Sequence, residues 1–168
     1  MNTKKIALVG VFSAVALAVM FIEFPIFPAA TFLKYDPSDI VALLVAIPYG
    51  ISSGFTVIVI KDILYYLIKS GDIVGILMNI LAGFSFVFFA AKFWNKNKVL
   101  AGSSAIVITT LLMTGINAIV VPFYFKAPFS LYLKFLPWIV AFNLVKFGID
   151  FIVAMPLIKY LDKVFRLD

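Results

Sequence analysis

Long apolar stretches take up nearly the whole chain, and two of them carry charge well inside their length: Lys61 and Asp62 in one, Lys146 and Asp150 in another. A charged side chain placed in hydrocarbon costs about 3 kcal/mol even on lenient insertion scales, so such residues face a polar interior and find partners there. Hydrophobic residues make up 64% of the 168 positions and charged ones only 13%. A water-soluble domain carries about half apolar and about a quarter charged residues. The chain must place most of its surface in lipid.

The uncharged runs are Ile6 to Ile22, Ile40 to Ile60, Ile73 to Ala91 and Val99 to Phe125, followed by a stretch from about Phe135 to Leu161. A helix crosses a bilayer core in about 20 residues. The segment from Pro37 to Lys69 is much longer than that and carries Pro48, Gly50 and Gly54 near its middle. These residues predict a turn that splits it into one helix from about Ser38 to Tyr49 and another from about Ser52 to Lys69. The expected fold is an all-α integral membrane protein, a six-transmembrane-helix bundle in a single domain over residues 1–168. No linker or charge block divides the chain, and no internal repeat is visible. Lys4 and Lys5 precede the first run, which ends at Glu23 and Pro25 without a small-residue cleavage step, so it is expected to stay as the first membrane helix.

Residues Phe24 to Pro37 contain three prolines and are too apolar for a free linker. Irregular backbone at membrane depth must be buried in protein or line a cavity. The segment is therefore expected to fold over the end of the bundle as a long structured first external loop, with Asp36 or Ser38 capping the next helix. With the amino terminus inside, eight basic residues (Lys4, Lys5, Lys92, Lys96, Lys98, Lys159, Lys163, Arg166) fall on the cytoplasmic side and four (Lys34, Lys69, Lys126, Lys134) outside. This bias puts both termini in the cytoplasm. The outer connections are then the first loop, a tight Ser70-Gly71-Asp72 turn and the span Lys126 to Lys134.

Much familiar chemistry is excluded. The net charge of +6 is scattered rather than clustered, which argues against nucleic acid as a partner. Cysteine and histidine are both absent, which removes disulfides, thiol nucleophiles, histidine bases and Cys/His metal sites. Gly50-Ile51-Ser52-Ser53-Gly54 has the spacing of a nucleophile elbow, but with no histidine and a helix-helix context it reads as a small-residue hairpin. Asp36 and Asp39 are explained more simply as helix-start residues than as a catalytic dyad. A membrane enzyme acting on lipid would need paired acids or a metal cluster, and Asp62, Asp72 and Asp150 do not form one by spacing. No catalytic or metal residues are assigned. No Walker phosphate loop is present, so the chain is not itself an ATPase.

The remaining polar residues suggest binding. Asn143, Lys146 and Asp150 share one face of the last helix, and Asn117 lies in the fifth, with Thr114 just before it. An amide offers both a donor and an acceptor to the edge of a heterocycle, and lysine offers charge-assisted donors to a carbonyl or hydroxyl. The alternative pairs Lys146 with Asp150 and bonds the asparagines between helices; the spacing leaves both readings open. Lys61 and Asp62 are neighbours that do not share a helix face, so each is expected to have its own structural partner, with Asn79 as a further interior polar group. Gly10, Ala14 and Ala18 form a small-residue stripe on the first helix, which serves either a partner or the protein's own packing.

Together, the string from Phe27 to Ile40 (FPAATFLKYDPSDI), the first-helix stripe, Thr114-Gly115-Ile116-Asn117 and Asn143-Leu144-Val145-Lys146 resemble the riboflavin-specific substrate-binding component of energy-coupling factor (ECF) transporters. The resemblance spans the chain. It implies a six-helix subunit of a prokaryotic cytoplasmic membrane that captures riboflavin from outside as a transported ligand, with no cofactor of its own. It also implies a transmembrane coupling subunit and two ATPase subunits as partners. Asn117, Asn143 and Lys146 would hydrogen-bond the flavin, the backbone around Leu33, Lys34 and Tyr35 would cover it, and Gly10, Ala14 and Ala18 would meet the coupling subunit. Another vitamin or heterocycle as cargo is the alternative within the family. Val41, Asp62 and Ile76 depart from the family pattern, and Ile76 stands where a glutamate is common, so a polar ligand contact from the fourth helix is not expected there.

Overall fold

The computed structural model describes residues 3–69 and 72–165, apart from the side chains at 162, 164 and 165. The turn expected at Ser70 and Gly71, and Arg166, lie outside the described residues. Among the described residues are six α-helices: α1 (Thr3–Met20), α2 (Ser38–Tyr49), α3 (Ile51–Lys69), α4 (Ile73–Trp94), α5 (Lys98–Phe125) and α6 (Phe129–Phe165). Five are long and apolar enough to cross a membrane. The sixth, α2, is shorter: its 12 residues rise only about 18 Å against a hydrocarbon core of about 30 Å.

The break between α2 and α3 has the cause the sequence suggested. Gly50 ends α2 at φ +96°, a backbone conformation that side chains with a Cβ avoid, and its amide donates to the Ala46 carbonyl. Gly54 then lets α3 fold back closely. A Cβ at that position would sit 2.6 Å from the Ala46 Cβ and 2.9 Å from the Ala42 carbonyl oxygen.

The segment between α1 and α2 has structure of its own, which an all-helical expectation omits. Strand β1 (Phe24–Pro25) pairs antiparallel with β2 (Lys34–Tyr35), Phe24 opposite Tyr35 and Pro25 opposite Lys34. A single 3-10 turn, Pro28–Ala30, lies between them. The capping expectation also needs correction, because Pro37 takes the N-cap position of α2 and supplies no side-chain bond. Asp36 reaches past it, its Oδ1 accepting from the Ser38 amide at 3.1 Å and from the Ser38 hydroxyl.

The expected connection from Lys126 to Lys134 is shorter than the charges implied. Lys126 closes α5 in a left-handed conformation, and α6 starts at Phe129, so Lys134 lies within helix. Side-chain caps hold the starts of α4 and α5: Asp72 accepts from the Val74 and Gly75 amides, and Asn97 from those of Val99 and Leu100.

Packing follows chain order, α1 with α2 and α3, α3 with α4, α4 with α5 and α5 with α6, while α2 also touches α4 and α6 and so sits centrally. Leu43, Val45, Val57, Ile58, Phe86, Val87 and Phe147 are fully buried where these helices meet, and the Phe86 and Phe147 rings stack at 4.9 Å. Further along, Phe151 packs against Trp94 and fills the space left at Gly102, where a Cβ would approach its ring to 2.6 Å. The outward faces stay apolar, as Val11, Leu111, Ile119 and Ile152 illustrate. Lipid solvates such faces as well as protein does, so close packing and internal polar bonds hold the bundle together.

Candidate functional site

One end of the bundle holds a partly open cavity of about 480 Å³. Its wall is built from the ends of α1 (Met20) and α3 (Tyr65, Lys69), the start of α4 (Asp72 to Ala82), the second half of α5 (Met113 to Phe125) and the stretch of α6 from Phe142 to Phe147. Glu23, Phe32, Leu33, Lys34 and Asp36 of the first connection complete it. Since α1, α3 and α5 finish at this end and α2 and α4 begin there, the helices alternate in direction. The lining is largely apolar and aromatic with a few polar groups, the composition of a site for a small organic molecule.

Asn117, Asn143 and Lys146 all line this one cavity and are nearly buried. The Asn117 amide nitrogen donates to the Met113 carbonyl and that of Asn143 to the Ile139 carbonyl, each at 2.8 Å. These bonds run back one turn along the residue's own helix and not between helices, which removes one of the alternatives. With the nitrogen anchored, the carbonyl end of each amide keeps its acceptor capacity for another partner.

Lys146 does not pair with Asp150 as the spacing allowed. Its ammonium donates to the Asp36 carboxylate (Oδ2, 2.9 Å) and the Asp36 backbone carbonyl (3.2 Å), and lies 3.3 Å from Asp39 Oδ2. Asp150 instead accepts a hydrogen bond from the Tyr35 hydroxyl at 3.1 Å. Asp39 stands in the first turn of α2 as the helix-start explanation has it, but it caps nothing there; its carboxylate bridges Lys146 to Lys61, whose Nζ is 3.3 Å from Oδ1. Lys61 also approaches its neighbour Asp62 at 3.4 Å, against the expectation of wholly separate partners, while Asp62 accepts from Asn79 at 2.8 Å. A charged chain thus runs from the cavity wall into the core, and every member named here is buried or nearly so except Asn79.

Burial by itself would raise the Asp36 carboxyl, but the adjacent Lys146 and Lys61 ammonium charges outweigh it and hold the group well below the usual carboxylate range. For the Tyr35 phenol, burial and the facing Asp150 carboxylate act together and push it above its ordinary value. Asp36 is therefore an anion and Tyr35 a neutral hydroxyl donor at neutral pH.

A second polar group at the cavity edge was not singled out from the sequence. Glu23, just past α1, accepts from Lys34 of β2 at 2.8 Å and from Lys69 at the end of α3 at 2.5 Å; Lys69 also reaches the Tyr65 hydroxyl. All four residues line the cavity. A lone acid after an apolar helix is unremarkable as sequence, and nothing local connects Glu23 to a lysine 46 positions away.

Of the first-connection residues, Leu33 and Lys34 line the cavity, whereas Tyr35 lies behind the wall with its ring 5.9 Å from the Lys146 ammonium. Asn79 and Ile76 are also at the wall, so α4 brings an amide to the cavity from a position other than that of the missing glutamate. Gly10, Ala14 and Ala18 are exposed, and a Cβ at Gly10 would meet nothing within 4 Å, so the small-residue face points away from the protein's own helices.

The sequence model of the family described as ECF transporter, substrate-specific component, matches residues 4–158. The riboflavin transporter RibU of Streptococcus thermophilus is 32% identical over an alignment covering 94% of this chain and 82% of that protein. The riboflavin transporter FmnP of Bacillus subtilis is 33% identical, with 72% and 68% covered. A solved structure described as the S component of a bacterial ECF transporter superposes with a TM-score of 0.87 at 28% identity, covering 98% of this chain and 99% of that one. The helices, the cavity and these likenesses agree, and the chain belongs to the substrate-specific components of ECF transporters.

Proposed function

We propose that this chain captures riboflavin from outside the cell and carries it for an ECF importer. The observation that carries this reading is the convergence of Asn117, Asn143 and Lys146, from two helices, on one aromatic-lined cavity of about 480 Å³. Burial of a flat tricyclic ring among such side chains supplies much of the affinity. The amide oxygens and the ammonium orient the polar edge, and leaving them unpaired penalises the wrong heterocycle. Leu33 and Lys34 cover the ligand through their backbone, while Tyr35 behind them keeps its hydroxyl on Asp150. The names of the relatives, riboflavin transporters at about one-third identity, support the same cargo.

In this reading the ordered segment from β1 to β2 is the external loop, and α2 is the sixth and shortest membrane helix. The cavity faces outward and both termini face the cytoplasm of a prokaryotic cell. The chain performs no catalysis, and energy comes from a membrane coupling subunit with two ATPase subunits. Gly10, Ala14 and Ala18 form the docking face, since close backbone approach holds helices together in lipid.

The visible absorption spectrum of the protein extracted in mild detergent tests the cargo. Flavin bands at stoichiometric amounts are expected after growth or incubation with riboflavin, and a colourless protein under both conditions overturns the reading.

A further inference from the structure

We infer that Asp36 is a positioning residue for the ligand-binding Lys146, so that the group that orients the cargo and the segment that roofs the cavity form one mechanical unit. The inference rests on the reading of Lys146 as a riboflavin contact and adds to it the device that aims the ammonium.

Lysine carries a compact charge on a flexible four-carbon stem, so its direction must be imposed from outside. Asp36 does this with two atoms, its carboxylate at 2.9 Å and its backbone carbonyl at 3.2 Å from the Lys146 Nζ. Two acceptors from one residue fix two donor directions and so define where the third can point. Asp39, at 3.3 Å, adds charge but divides it with Lys61. Asp150, one turn along α6, is held by Tyr35.

Asp36 is itself anchored. Its other carboxylate oxygen accepts from the amide and hydroxyl of Ser38, at the first turn of α2. It also follows directly on β2, and both Asp36 and Lys146 line the cavity. The roofing hairpin therefore reaches α6 through this bond, 110 residues apart in sequence. A roof lifted at β2 drags the Lys146 partner with it, so opening the site and disarming the ammonium are a single event.

A double-mutant cycle read by riboflavin fluorescence quenching in detergent tests this. Asp36→Asn is expected to weaken riboflavin binding by roughly 10- to 100-fold, the span of couplings within one hydrogen-bond network. In a Lys146→Met background the same change is expected to weaken it no further, and to restore thermal stability, because it removes the charge that Lys146 no longer compensates. A second, independent loss in that background overturns the inference, as does wild-type affinity of Asp36→Asn alone. If Lys146→Met itself binds like wild type, the reading of Lys146 as a ligand contact fails instead. Should Asp36→Asn not fold, Ser38→Ala loosens the same carboxylate with its charge intact. It is expected to cost about 3-fold when Lys146 is present and nothing when it is absent, as for a single secondary hydrogen bond; equal losses in both backgrounds overturn the inference.

Discussion

Asp39 lies between two lysines, with Oδ1 3.3 Å from Lys61 and Oδ2 3.3 Å from Lys146, so one fully buried carboxylate joins the centre of α3 to the centre of α6. Charges in such a chain stabilise only as a set, because removing one partner leaves the other uncompensated. Lys61→Met should therefore destabilise the protein by about 3 to 5 kcal/mol, and pairing it with Asp39→Asn should recover part of the loss. Denaturation in detergent checks this; a double variant less stable than Lys61→Met would contradict it.

The α2–α3 hairpin gives a steric prediction. Gly54→Ala places a Cβ 2.6 Å from the Ala46 Cβ and 2.9 Å from a carbonyl oxygen, a clash with backbone that cannot rotate away. A loss of about 1 to 3 kcal/mol is expected, the range for overpacked interiors. An unchanged melting midpoint would mean that α2 and α3 separate at no cost.

At Glu23 the effect depends on pH. Burial raises its carboxyl, but the hydrogen bonds from Lys34 and Lys69 outweigh this and leave it below its ordinary value of 4.5. A carboxylate lowered by folding stabilises the protein above the unfolded value and loses that contribution as pH falls through the folded one. Glu23→Gln should melt below wild type at pH 7, and the gap should close as pH drops below about 4. A gap that stays constant from pH 7 to pH 3 would show that the ion pairs contribute nothing.

Ala14→Leu separates binding from assembly. The position is exposed and not part of the cavity lining, so riboflavin affinity should be unchanged, while co-purification with the proposed coupling subunit should fall sharply. Wild-type recovery of the complex would remove α1 as the docking face.

Helix positions were legible in the sequence because apolar runs and their breakers act locally. Pro48 and Gly50 put the end of α2 at Tyr49, where it falls. The start of α6 was hidden because Lys134 looked like a chain leaving the membrane, yet a lysine in the second helical turn can extend its stem toward water. Helix faces group Asn143 with Lys146, but only the family resemblance joined Asn117 to them; the structure brings all three to one cavity. The partner of Lys146 was not legible. Asp150 at four residues' distance was the local candidate, whereas Asp36, 110 residues away, becomes available only when the hairpin folds over α6. Glu23 was missed for the same reason.

The most direct test of the central claim is a riboflavin titration of the purified, ligand-depleted protein, followed by flavin fluorescence quenching, beside the Asn143→Ala variant. The account predicts saturable one-to-one quenching by wild type and affinity weaker by roughly 2 to 4 kcal/mol in the variant. Absence of saturable quenching in wild type, or equal affinity in the two proteins, would contradict it.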